Sequence, residues 1–117
     1  MSRIDKVNEN IRREISTIIQ RELADPRVAF VSITSVSVSK DLQHAKVFFS
    51  VFGETVKLEE AQKGLDAARG LIRKLVGKEI KMRFNPELIF IYDQGLEYRQ
   101  EIEATLREIG NESEERS

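Results

Sequence analysis

The chain has 117 residues, 40% of them hydrophobic, a formal net charge of −1 and no cysteine. That length suits one domain, which buries roughly two-thirds of its unfolded surface and so can build a core without covalent staples. Disulfides and thiolate metal sites are excluded; no apolar run approaches the roughly 20 residues of a membrane span and no signal-peptide core opens the chain, so a cytoplasmic protein is expected.

Ile4, Val7, Ile11, Ile15, Ile18, Ile19 and Leu23 recur at intervals of three and four, which predicts a first helix with one buried face. Ser2, three residues before Asp5, is the expected N-cap, and Ala24-Asp25-Pro26 ends the helix because the residue before proline is pushed out of the helical region. The charges between, Arg3, Lys6, Arg12, Arg13 and Arg21 among Asp5, Glu9, Glu14 and Glu22, read as a solvated face. Phe30 to Ser39 alternates apolar with hydroxyl residues and predicts a strand. Its parity shifts between Ile33 and Val36, so a bulge is expected near Thr34-Ser35. Lys40 to Gln43 leads into a second strand, Ala45 to Phe52, and the two should pair as an antiparallel hairpin. His44, the only histidine, has no second histidine or cysteine nearby and reads as an ordinary strand-end residue.

Leu58 to Ala68 predicts the next helix, with Glu59 and Glu60 in its first turn, where the macrodipole favours acids. Ala68-Arg69-Gly70 interrupts it. Glycine costs about 1 kcal/mol relative to alanine in a helix interior, so a kink or a break is expected at Ala68 and Gly70. A second helix follows, its apolar stripe drawn from Leu71, Ile72, Leu75, Val76 and Ile80. Asn85-Pro86 stops the chain before a third, largely buried strand, Glu87 to Tyr92. Leu96, Arg99, Ile102, Leu106 and Ile109 trace a last helix, and residues 111–117 are polar, acidic and expected to be disordered. One domain over 1–110 with a tail over 111–117 follows. Strands joined by a helical crossover lie parallel, so the expected architecture is α+β: a three-stranded mixed sheet with helices on one face.

The near-zero charge is unevenly spread. Arg69, Arg73, Lys74, Lys78, Lys81 and Arg83 crowd one short stretch opposed only by Glu79, whereas from Glu97 onward seven glutamates outnumber three arginines. A basic patch in a nearly neutral protein is the electrostatic footprint of a nucleic-acid-binding face. A solvated lysine–arginine surface, or a docking face for an acidic protein, would look similar. No P-loop, HExxH or EF-hand pattern occurs, and one histidine without cysteine supplies no nucleophile–base pair. Asp25, Asp41, Asp66 and Asp93 fall at turns or helix ends, where aspartate serves the backbone. Neither an enzyme nor a metal or other cofactor is expected.

The element order is similar to a type II KH domain, in which a GxxG loop between paired helices clamps an RNA backbone. Here that place reads Ala68-Arg69-Gly70, and neither Gly70-Leu71-Ile72-Arg73 nor Gly77-Lys78-Glu79-Ile80 supplies the second glycine. Ala-x-Gly at this junction resembles the bacterial ribosome-binding factor A family. Arg21-Glu22-Leu23-Ala24-Asp25-Pro26-Arg27, Val36-Ser37-Val38-Ser39-Lys40-Asp41-Leu42, Ala45-Lys46-Val47, Gly70-Leu71-Ile72-Arg73 and Pro86-Glu87-Leu88 with Phe90 carry the same resemblance in order and spacing. It runs from the first helix to about residue 109 and implies a non-enzymatic, monomeric assembly factor. Such a factor binds free small (30S) ribosomal subunits and their rRNA, assists late maturation and 5′-end processing of 16S rRNA, supports growth in the cold, and leaves before translation. The basic helix would be the RNA-binding element. A generic KH-like single-strand binder, and a protein-interaction module with an acidic partner, are the alternatives.

Overall fold

Isoleucine spacing organises the first layer. The computed structural model describes residues 2–52, 57–81 and 85–94, and its first helix, α1 (Arg3–Glu22), buries Ile11, Ile15, Ile18 and Ile19 on one face. Ser2 caps it: the Asp5 amide donates to Ser2 Oγ at 3.1 Å and the Ser2 amide donates to the Asp5 carboxylate at 3.3 Å. The helix gives way to extended backbone at Leu23, and Asp25-Pro26 then nucleates a 3-10 turn, Pro26–Val28, which apolar periodicity does not reveal. Arg27 folds back onto Asp25, Nη2 to Oδ2 at 2.7 Å, and its hydrogen bonds hold the Asp25 carboxyl below the ordinary carboxylate range.

The sheet follows the expected plan. β1 (Val31–Val38) and β2 (His44–Val51) pair antiparallel, and the register steps from Ile33↔Phe49 to Ser35↔Phe48, leaving Thr34 as the bulge. β3 (Glu87–Tyr92) lies parallel to β2, giving the order β1-β2-β3. In the hairpin turn the Asp41 carboxylate accepts from the Ser39 hydroxyl at 2.6 Å and the Gln43 amide at 3.1 Å, which supports Leu42 at φ 61°. His44 begins β2 with Nε2 3.9 Å from Glu87, a strand-end position as expected. Ile33, Val36 and Val38, then Ala45, Val47 and Phe49, then Leu88 and Phe90 point to one face, where they meet the buried residues of both helices in a single core. The fold is α+β and KH-like, with a mixed three-stranded sheet and both helices on one side.

One expectation fails. α2 (Leu58–Glu79) runs without interruption through Ala68-Arg69-Gly70, so the two helices expected on either side of a break are one helix. The reason is the stripe. Ala61, Leu65, Ile72 and Val76 are buried on both sides of Gly70. Each large aliphatic side chain gains about 1.5–3 kcal/mol on burial, against about 1 kcal/mol lost to one helical glycine. Gly70 itself is exposed, and a Cβ there would meet nothing within 4 Å. The glycine under constraint is Gly64, where a Cβ would stand 2.8 Å from Val28 Cγ1 and 3.1 Å from Arg27 Cβ, so its absence lets the 3-10 turn seat on α2. The last helix and the acidic tail expected beyond residue 95 lie outside the described residues. Among the described residues no helix is long and apolar enough to cross a membrane.

These packings predict opposite signs for two identical substitutions. Gly70→Ala should raise unfolding stability by about 1 kcal/mol through helix propensity alone. Gly64→Ala should lower it by about 1–2 kcal/mol, because overpacking against a stiff, buried valine exceeds the same propensity gain. Urea unfolding of the two variants checks this; equal shifts would contradict the assigned roles.

Candidate nucleic-acid interface

The continuous helix divides the basic residues into rows. Successive helical residues are rotated by roughly 100°, so Arg69 and Arg73 share one line while Lys74 and Lys78 share another. All four are exposed, as is Lys81 just beyond the C-cap at Ile80. Arg83 lies outside the described residues. The cations therefore do not form one face opposite the apolar stripe; they flank an outward ridge on which Gly70 leaves the backbone bare.

Each row has its own surroundings. The first borders β3, where Arg73 Nη2 donates to the Asn85 carbonyl at 2.9 Å and Asn85 Nδ2 donates back to the Arg73 carbonyl at 3.1 Å. One guanidinium N–H is thus used to fix the side chain, and the remaining donors of the fork stay available to an anion. Gly77 makes this closure possible, since a Cβ there would come within 2.8 Å of Asn85 Nδ2. The second row borders α1. Lys78 opens onto a cleft with Glu14, Arg21, Glu22 and Glu79, whose acids offset its charge. Arg69, Arg73 and Lys74 are consequently the strongest part of the patch, with Lys81 at its end. Ala68, the other residue placed at the expected kink, is half-buried and packs on the core.

Sequence reasoning found these cations but missed the Gly77–Asn85 contact that orders one of them. Two signals pointed to it: a glycine within an otherwise helical pattern marks close approach, and an asparagine before proline bonds readily to nearby backbone. Their partnership is tertiary and had no local mark. Among the described residues no cluster of histidine or acidic side chains is arranged to hold a metal ion.

Comparison with known proteins decides the family. A sequence profile described as ribosome-binding factor A matches residues 3–106. The ribosome-binding factor A of Halothermothrix orenii is 45% identical over 112 residues, spanning 96% of this chain and 92% of that relative. The chain belongs to the ribosome-binding factor A family. The Brevibacillus brevis factor is likewise 45% identical over 113 residues, covering 97% of this chain and 93% of its own. Among solved structures, the crystal structure of ribosome-binding factor A from Thermus thermophilus superimposes with a TM-score of 0.70 at 25% identity, over 78% of this chain and 97% of that one. A homology model of the Thermus thermophilus factor, fitted into a cryo-EM map of a 30S complex, matches with a TM-score of 0.60 at 27% identity, over 72% and 88% of the two chains. In this chain α2 continues through the place where the GxxG loop of a KH domain would stand.

The Arg73–Asn85–Gly77 arrangement makes a coupled prediction. Gly77→Ala alone should be close to neutral, a helix gain of about 1 kcal/mol offset by the displaced Asn85 bond of similar size. In an Asn85→Ala background the same substitution should stabilise by about 1 kcal/mol, because nothing is left to displace. A double-mutant cycle by chemical unfolding reads the difference, and identical effects in both backgrounds would mean the contact does not form in solution.

Proposed function

We infer that this chain is a non-enzymatic assembly factor that binds the free small ribosomal subunit through rRNA, with the exposed cations of α2 as the contact. The observation that carries the reading is the joint exposure of Arg69, Arg73 and Lys74 on one rigid helix, in a family whose Thermus thermophilus member has been fitted into the map of a 30S complex. Guanidinium and ammonium groups four residues apart on a helix suit successive phosphates, and such contacts supply affinity and register without reading bases.

In this reading Arg73, held by Asn85, is the fixed point of the interface, and Arg69, Lys74, Lys78, Lys81 and Arg83 extend it. Ala68 and Gly70 act as a low ridge: Ala68 is a small packing residue, and Gly70 lets a sugar–phosphate strand approach the helix backbone between the two rows. With α2 continuous, no helix N-terminus is left at Leu71 to hold a phosphate, so the side chains carry the contact. The protein acts as a cytoplasmic monomer without cofactor, assists late maturation and 5′-end processing of 16S rRNA, supports growth in the cold, and leaves before translation. Family membership supports these finer steps.

Replacing Arg73 and Lys74 with glutamate should weaken subunit binding and flatten its salt dependence, each lost phosphate contact removing roughly 0.7–0.9 from the slope of log K against log salt. The wild-type chain should sediment with free small subunits and not with assembled ribosomes. Purified small-subunit rRNA should compete for it, whereas an acidic protein should not. A folded double variant with unchanged affinity and slope would move the site away from α2; competition by the acidic protein alone would favour a protein-docking role.

A further inference from the structure

The two edges of the sheet are finished differently. In an antiparallel pair, residues whose amide and carbonyl face the partner strand alternate with residues whose groups face away. The Phe52 amide donates to the Phe30 carbonyl at 2.9 Å and the Ser39 amide to the His44 carbonyl at 2.8 Å, so Phe30 and Ser39 face β2. Val31 and Ile33 therefore turn their backbone groups outward, and beyond the Thr34 bulge Val36 and Val38 do the same. Asn8 of α1 covers the last of these, its Oδ1 accepting from the Val38 amide at 2.9 Å. On the opposite edge Gln62 Nε2 donates to the Phe90 carbonyl at 3.0 Å. Among the described residues nothing bonds the outward groups of Val31 and Ile33.

These groups open into a groove between β1 and the second half of α1. Ser16, Ile19 and Gln20 form one wall, the backbone from Ala29 to Ile33 the other, and Phe52 lines it too. No lining side chain is charged, so a phosphate has no cation to meet here. A bare strand edge offers amide donors and carbonyl acceptors in alternation, and another polypeptide main chain is what matches both kinds. Edge strands are commonly blunted by lysine or proline; Val31–Val38 contains neither. Phe30 and Phe52 stand 48% and 63% exposed beside the groove, as large apolar anchors for whatever enters it. The bulge at Thr34 breaks the straight run of the edge, which opposes pairing with the β1 of a second copy and favours a short segment.

We propose that the outer edge of β1 at Val31 and Ile33 takes a short, extended, uncharged segment of another protein as a fourth strand of the sheet. The segment's main chain bonds the outward amides and carbonyls of these two residues, and its alternate side chains enter the groove against Ile19. Val31 and Ile33 lie about 7 Å apart along the strand, so a segment of about four residues reaches both. Gln20, exposed on the α1 wall, offers a side-chain amide to the far edge of the added strand. The surface is independent of the RNA reading, since none of its residues belongs to α2.

The test titrates the isotope-labelled full chain with a pentapeptide blocked at both ends, glycyl-valyl-threonyl-valyl-glycine, at millimolar concentration. The amide signals of Val31 and Ile33 should move and their hydrogen exchange should slow, while those of β3 stay in place. Val31→Pro removes an outward donor that the β1–β2 ladder does not use, so the sheet signals should persist while peptide binding weakens roughly fivefold or more. Phe30→Ala, which trims an exposed side chain, should also weaken binding and serves if the proline variant does not fold. The proposal is overturned if the peptide leaves Val31 and Ile33 unmoved, or if either folded variant binds it as the wild type does. It is overturned equally if oligouridylate moves the same two amides, which would assign the groove to nucleic acid. A sedimentation mass of two chains that Val31→Pro reduces to one would assign the edge to a second copy and overturn it as well.

Discussion

Leu65 and Ile72 stand two helical turns apart on α2 and are both fully buried in the same core, so every residue between them must remain helical. Ala61 and Val76 extend the constraint to either side. Gly70 sits inside this span, and its preference for other conformations is too weak to break a helix held at four points. The consequences reach the surface. Because α2 is unbroken through this region, the cations that follow Ala68 inherit the helical rotation and separate into two rows, one toward β3 and one toward α1.

Three glycines in one helix have three different physical meanings. Gly64 lets the Pro26–Val28 turn approach, which is where the Asp25–Arg27 clasp meets the helix. Gly77 lets Asn85 close on the Arg73 carbonyl and thereby positions the Arg73 side chain. Gly70 touches nothing and leaves a gap in the side-chain cover between the cations. The first two are packing devices that join α2 to the segments leading into β1 and β3. The third is available to a ligand.

Most of the fold was legible because its signals are local or periodic. The parity change between Ile33 and Val36 placed the bulge where the register steps at Thr34, and Ser2 with Asp5 marked a cap that the structure closes as a box. The parallel β2–β3 pairing followed from one helical crossover. The helix break at Gly70 was wrongly expected because propensity was weighed without the burial that opposes it. The Pro26–Val28 turn escaped because three residues leave no apolar period to read, and the Gly77–Asn85 contact because it depends on where Asn85 is placed against α2. For the candidate site, the identity of the cations was legible and their arrangement was not, since a charge count cannot distinguish one face from two rows.

Amide hydrogen exchange at Leu71, Ile72 and Arg73 tests the continuous helix most directly. In an unbroken α2 these groups donate to the carbonyls four residues earlier, at Ala67, Ala68 and Arg69. A helix restarting after Gly70 would instead leave them as free first-turn donors. The account predicts slow exchange, comparable to that of Leu65 in the first half of the helix. Exchange at the rate of a free amide at these three residues, with Leu65 still protected, would contradict it.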